Sequence, residues 1–330
     1  MMRCRLYRVT LARTWLLTMF EMSCHFQVPI QSIGPIARQV IQQQSFGKIF
    51  SIFQRTFYLK SNSNLLCIGT NDLYNGPLNL ITSAPAATTW SDCGIRIGQN
   101  VALGSSRLTL ESGLEFTYGD ACYWSPPKYH TPKHIVLGEG LSRLCLAAEK
   151  RIPSEGLGCF INSNICPDLL KPVAVQAVQP LTEIRVALLK SFRLGQWVSM
   201  PVAARRSLIG LGPGLTPSGD DFLCGMMIGL NLLGFETFAA ELRKGLEAVL
   251  PADPSQISLA HFEAASLGLG AAGLHNVAKD LFVGERIKDD LLDGVDQIGH
   301  TSGWDTLSGM VFVFKAWVLT RGNSLRNGEC

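Results

Sequence analysis

The sequence predicts an α+β protein, an N-terminal antiparallel β domain of sandwich or barrel-like type followed by a C-terminal all-helical domain. Residues 48–125 alternate apolar and polar positions in short runs separated by Gly, Ser and Asn, the pattern of half-buried strands. From residue 181 onward the apolar spacing lengthens to the helical period. Strands first and helices second argue for segregated domains, and 330 residues leave room for both.

Strand-like runs occupy residues 49–53, 56–59, 65–68, 78–81, 95–97, 101–103, 107–110 and 114–118. Asn62-Ser-Asn64, Asn71-Asp72 and Gly76-Pro77 supply turns between them. The β domain therefore spans 48–130. Residues 131–180 read as a linker with one helix near 135–151, stopped by Pro153, and an irregular stretch at 159–172. A helical domain covers 181–322, with helices expected at 183–194, 219–234, 236–250, 257–269, 271–283, 285–297 and 303–320. Residues 1–47 form an N-terminal extension without clear elements. Arg3, Arg5, Arg8 and Arg13 stand among its apolar residues, and Arg13 spoils a signal-peptide core. The arginine-rich, acid-poor start also resembles a transit peptide; an over-extended start, with translation beginning near Met19 or Met22, is the plainest reading, and residues 1–24 stand outside the expected fold.

A hydrophobic content of 47% with 17% charge describes a chain that folds into a core. The net charge of +3 comes from the first 60 residues, where Glu21 is the only acid. The remainder is mildly acidic, so no nucleic-acid-binding stripe is expected. Ten cysteines without a Cys-x-x-Cys pair read as reduced thiols of a cytoplasmic protein, mostly buried. No apolar run is long enough for a transmembrane helix.

The most informative stretch is Gly210-Leu-Gly-Pro-Gly-Leu-Thr-Pro-Ser-Gly-Asp-Asp-Phe-Leu-Cys-Gly225. Its second half recurs downstream: Ser218-Gly-Asp-Asp-Phe-Leu-Cys-Gly-Met226 aligns with Ser302-Gly-Trp-Asp-Thr-Leu-Ser-Gly-Met310, every pair 84 residues apart. Ser-Gly-x-Asp-x-Leu-x-Gly-Met predicts two equivalent loop-to-helix corners bordering one cleft. Locally, Ser218 with Asp221 and Ser302 with Asp305 read as capping-box variants, with Asp in place of Glu or Gln. Gly225 and Gly229 share a helix face and permit a close crossing.

Capping does not require the glycine loop in front. Gly212, Gly214, Thr216, Ser218 and Gly219 offer amides and hydroxyls at a helix N-terminus, a recipe for binding phosphate or another small anion. No Lys follows the last glycine, so the loop is not a Walker A motif, and no βαβ pattern makes it a Rossmann fingerprint. Asp220 and Asp221 would repel a bare phosphate but tolerate one with Mg2+ between them. The second corner adds Thr301, Ser302 and Gly303, with His300 and Asp305 as candidate catalytic groups beside Asp220 and Asp221. Trp304 replaces Asp220 there, so capping alone does not demand Asp220. Arg205 and Arg206 either supply positive charge to the loop or are solvated.

At these residues the chain resembles the AllH-like family, the third subunit of bacterial oxamate carbamoyltransferase. The likeness rests on residues 210–223 and on Gly-His-Thr-Ser-Gly-x-Asp at 299–305, with weaker similarity at Phe53-x-Arg-x-Phe-Tyr-Leu59 and Asn75-Gly-Pro77. The resemblance implies a cytoplasmic complex with two larger subunits. Together they would convert oxalurate and phosphate to oxamate and carbamoyl phosphate in purine and allantoin catabolism. It implies a small anionic substrate and no organic cofactor. A structural or regulatory subunit without catalytic groups is the alternative reading.

Overall fold

The computed structural model describes residues 26–162, 170–285 and 289–322. The extension at 1–24 and the starts at Met19 and Met22 lie outside them. The chain divides into two compact units, residues 1–125 and 126–330.

The first unit is an eight-stranded barrel. Its strands are β1 Phe26–Ile33, β2 Phe46–Ile52, β3 Thr56–Ser61, β4 Asn64–Gly69, β5 Asn79–Thr82, β6 Asn100–Leu103, β7 Arg107–Leu110 and β8 Leu114–Thr117. They run in the order β5-β4-β3-β2-β6-β7-β8-β1, and β1 pairs back onto β5 to close the ring. Two of these pairings, β4–β5 and β8–β1, are parallel and the others antiparallel. A short β9, Cys122–Tyr123, extends the pairing along β1. Closure removes free sheet edges. Phe57, Trp90 and Phe116 fill the interior with ring centroids 5.3–5.8 Å apart, and Trp90 Nε1 donates to Arg55 O at 2.8 Å.

The sheet begins before residue 48: β1 and helix α1 (Pro35–Gln42) belong to this unit rather than to an extension. Ile36, Ala37, Val40 and Ile41 of α1 are buried. Its first amides, Ile36 N and Ala37 N, donate to Pro77 O at 3.0 and 3.1 Å. A Cβ on Gly34 would meet Pro77 O at 2.6 Å, so the Asn75-Gly-Pro77 segment seats the start of this helix. The run 95–97, expected as a strand, is a turn region between Gly94 and Gly98, whose φ values of 78° and 84° break the extended chain on either side.

The second unit is helical: α2 His134–Ala148, a 3₁₀ turn Gly158–Ile161, α3 Pro172–Leu194, α4 Val202–Leu208, α5 Ser218–Leu232, α6 Glu236–Glu247, α7 Gln256–Ser266, α8 Ala272–Val283, α9 Asp289–Asp296 and α10 Ser302–Gly322. A boundary at 180 falls inside α3, which begins at Pro172 and carries Pro180 internally. Ala174, Ala177, Leu181, Ile184 and Leu188 form one buried stripe across the proline, and that burial outweighs the local break. The helix at 202–208 was not legible as one. All of α5 except Asn231 is buried, as expected for a helix apolar on every side. No described helix is long and apolar enough to cross a membrane.

Candidate functional site

The two Ser-Gly-x-Asp corners meet. Each begins where a short helix ends, α4 before the first and α9 before the second. Gly219 lies against Leu208 O and Gly303 against Val295 O, so closely that neither position has space for a Cβ. Gly219 N donates to Leu211 O at 2.9 Å and Gly303 N to Ile298 O at 3.0 Å. Asp221 N bonds Pro217 O at 3.0 Å and Asp305 N bonds Thr301 O at 2.8 Å.

The helices cross with the same equivalence. Gly225 packs on Thr306 O, and Gly309 packs on Phe222 O, the position equivalent to Thr306. A Cβ on Gly225 would stand 3.0 Å from Met310 N, and one on Gly309 2.9 Å from Met226 N. Gly229 continues the contact, 3.2 Å from Met310 Cα by the same measure. An approximate two-fold axis thus runs between α5 and α10.

The carboxylates follow this exchange. Thr216 Oγ1 donates to Asp221 Oδ2 at 3.0 Å and lies 3.2 Å from Ser302 Oγ. The Ser302 hydroxyl also serves Asp221, while the Ser218 hydroxyl serves Asp305. Each acid thus has the serine of the other corner beside it, although Asp305 Oδ2 itself has no hydrogen-bond partner. This corrects the capping-box reading: Pro217 occupies the cap of α5 without a side-chain hydrogen bond, and Ser218 is the first helical residue. Asp305 Oδ1 further accepts Leu157 N at 2.5 Å, delivered by a turn in which Gly156 has φ +79° and a Cβ would meet Oδ1 at 2.5 Å.

Asp220 takes a separate course. Its Oδ1 accepts Gly210 N at 2.8 Å, beside Ser258, and so anchors the start of the glycine loop to α5. Its counterpart Trp304 donates Nε1 to Asp296 Oδ1 at 2.8 Å, anchoring the second corner to α9. Asp220 and Asp221, expected to share an Mg2+ ion, are engaged by different partners. Among the described residues no three His, Cys, Asp or Glu side chains gather as a metal-holding group.

Asp220, Asp221 and Asp305 are 3%, 6% and 0% exposed. Burial raises all three carboxyls. Asp305 reaches about 6, although the Leu157 amide and nearby hydroxyls pull it down. Asp221 is raised well above its ordinary 3.8, first by burial and further by the neighbouring charge of Asp305, and Asp220 is raised by burial as well. Burial thus favours the protonated form of these acids over what an exposed carboxyl would show.

Above these acids the loop opens outward. Gly210, Gly212 and Gly214 have φ of 73°, 108° and 103°, a left-handed path that favours glycine. Gly210, Pro213, Gly214 and Leu215 are exposed, with Gly212 and Thr216 half-buried. The amides of Gly212, Gly214, Leu215 and Thr216 have no intramolecular hydrogen-bond partner among the described residues. Thr301 and Ser302 are half-buried beside them, with Gly303 beneath. His300, at the position equivalent to Thr216, is 82% exposed and stands 3.7 Å from Glu155 Oε2. Neither arginine reading holds for Arg205, which is buried and donates to Gly245 O; Arg206 is exposed.

Sequence reasoning missed Ser255, whose hydroxyl donates to Leu215 O at 3.0 Å while capping α7. It also missed the turn that delivers Leu157. The one visible signal for that turn is that Gly156-Leu-Gly158 repeats the Gly-Leu-Gly of residues 210–212.

Barrel and corners together define a two-unit α+β protein whose helical unit is built around a duplicated loop–helix junction. Residues 208–314 match the family model for oxamate carbamoyltransferase subunit AllH, and residues 30–123 match that for the AllH family N-terminal domain. The chain belongs to the AllH family, described as a subunit of a carbamoyltransferase. No solved structure matches it.

Proposed function

We propose that this chain acts within an oxamate carbamoyltransferase complex, beside two larger subunits, in the cytoplasm. The complex would convert oxalurate and phosphate to oxamate and carbamoyl phosphate in purine and allantoin breakdown. This chain binds phosphate, or the phosphate end of carbamoyl phosphate, at the glycine loop. The observation that carries this reading is the row of unclaimed amides at 212–216, set at the N-terminus of α5 next to the Thr216 and Ser302 hydroxyls. Such amides and the helix dipole favour an anion. Catalysis there is positioning and electrostatic stabilisation, with Asp221, Asp305 and His300 nearest the ligand. Mg2+ accompanies the phosphate as counter-ion.

Thermal melting of the isolated chain with inorganic phosphate, with carbamoyl phosphate, and with and without Mg2+ tests this. Binding raises Tm with ligand concentration, and Thr216→Val together with Ser302→Ala removes the rise. No shift in the isolated chain or in the assembled complex sinks the reading. The second reading, a structural or regulatory subunit, draws on the burial of all three acids, each with partners inside the fold. It requires the complex to keep full activity in Asp221→Asn and Thr216→Val variants that fold normally.

A further inference from the structure

Asp305 is fully buried, and its Oδ2 has no hydrogen-bond partner among the described residues. Oδ1 is taken by Leu157 N at 2.5 Å. The turn that delivers this amide stands nearer Oδ1, since a Cβ on Gly156 would meet Oδ1 at 2.5 Å and Oδ2 at 2.9 Å. Oδ2 is therefore the oxygen left for the corners, where Ser218 and Thr301 stand beside the carboxyl. Across the two-fold relation lies Asp221, also buried and near enough for the charge of Asp305 to act on it. Neither acid pairs with an Arg, Lys or His among the described residues. Buried carboxylates without a counter-charge are costly, and two side by side more so. One shared proton neutralises one of the pair, whereas a divalent ion neutralises both. Hydroxyls surround them. Thr216 Oγ1 lies 3.0 Å from Asp221 Oδ2 and 3.2 Å from Ser302 Oγ, and the Ser302 and Ser218 hydroxyls adjoin Asp221 and Asp305. Two carboxylates completed by neutral oxygens suit a hard ion such as Mg2+ or Ca2+, not a metal that prefers nitrogen and sulfur. Thr216 and Ser302 are half-buried, which puts the way in on the side of the glycine loop.

We propose that Asp221 and Asp305, completed by the Ser218 and Ser302 hydroxyls, bind one hard divalent cation on the two-fold axis between the corners. Asp220 is not a ligand, being engaged by Gly210 N. The cation belongs to the fold itself and does not rest on phosphate binding at the glycine loop. The test takes the full chain stripped with chelator, in phosphate-free buffer. It is titrated with MgCl2, CaCl2 and MnCl2, by calorimetry and by thermal melting at constant ionic strength. One ion binds per chain and Tm rises with its concentration; NaCl and KCl at the same ionic strength give no rise. Asp305→Asn and Asp221→Asn each weaken binding about tenfold or more, whereas Asp220→Asn binds as wild type. In chelator Asp305→Asn melts no lower than wild type, so its loss of ion binding is not a loss of fold. Should either variant fold poorly, Ser218→Ala with Ser302→Ala, which keeps both acids, must weaken binding in the same direction. Absence of binding at millimolar ion overturns the inference and leaves the pair to a shared proton or a buried water. So does an equal rise with NaCl or KCl, and so does binding that Asp220→Asn abolishes and Asp305→Asn spares. Ion binding without a phosphate-induced rise in Tm strikes the loop reading alone. A phosphate-induced rise in a chain that binds no cation strikes this inference alone.

Discussion

Gly225 and Gly309 occupy equivalent places in a reciprocal crossing, each resting on a backbone carbonyl of the other's helix. The contact brings the two helix N-termini together and so brings Asp221 within reach of Ser302. Helix packing and the candidate site are therefore one construction.

Alanine at Gly225 or Gly309 would force α5 and α10 apart. Alanine's better helix propensity returns only about 1 kcal/mol, against an overpacking cost of about 1–3 kcal/mol or more. Each variant should lower Tm in calorimetry. The double variant should cost less than the sum, because one displacement relieves both contacts. Gly138→Ala is the control: its Cβ would lie 3.4 Å from Val318 Cγ1, ordinary contact, and stability should hold or rise.

Asp305 gives a pH signature. Its folded value of about 6 lies above the ordinary 3.8, so the folded state holds the proton more tightly. The group's contribution is most favourable below 3.8 and declines as pH rises through about 6. Asp305→Asn, which can still accept the Leu157 amide, should gain stability relative to wild type between pH 4 and pH 7, by up to about 2–3 kcal/mol. Parallel denaturant titrations at the two pH values measure it, and a pH-independent difference would contradict it.

Asp220 tests the loop anchor. Asp220→Asn keeps an acceptor for Gly210 N and should change stability by less than about 1 kcal/mol. Asp220→Ala removes that acceptor and leaves the amide unpaired, at about 1–3 kcal/mol. Amide hydrogen exchange at 210–216 should quicken in the alanine variant and stay near wild type in the asparagine variant.

His275 tests the floor of the helical unit. Its Nε2 accepts Gly270 N at 3.1 Å, which puts the ring proton on Nδ1, 2.9 Å from the Tyr129 hydroxyl. That hydroxyl in turn donates to His275 O at 2.9 Å. Burial lowers the imidazole from 6.5 to about 4. The stability it contributes is present above 6.5 and is lost as pH falls towards 4. His275→Ala should cost about 1–3 kcal/mol at pH 7 and show a shallower acid limb than wild type.

The strands of the barrel were legible because alternation is local, and so were the helices near 219 and 303. Closure was not legible. It depends on β1, a run with Pro29 inside it that follows an arginine-rich start and pairs only with distant strands. The meeting of the two corners could be read from their identical spacing and their glycines. The exchange of serines between acids could not, because capping rules assign Ser218 to its own helix, and only the crossing turns it towards Asp305. α4 was missed because seven residues carry too little periodicity to register.

The double pairing of β1 sets an order of events. Gln27 Nε2 meets Glu115 Oε2 at 3.0 Å across a separation of 88 residues. Strand β1 therefore waits for nearly the whole unit before its parallel partner β8 exists. Contacts of such long range are slow to form, and until β8 arrives the nascent barrel is an open sheet with two unpaired margins. A fragment ending before residue 114 cannot close, however well its strands are formed, and a chaperone acting on this protein would meet it in that open state.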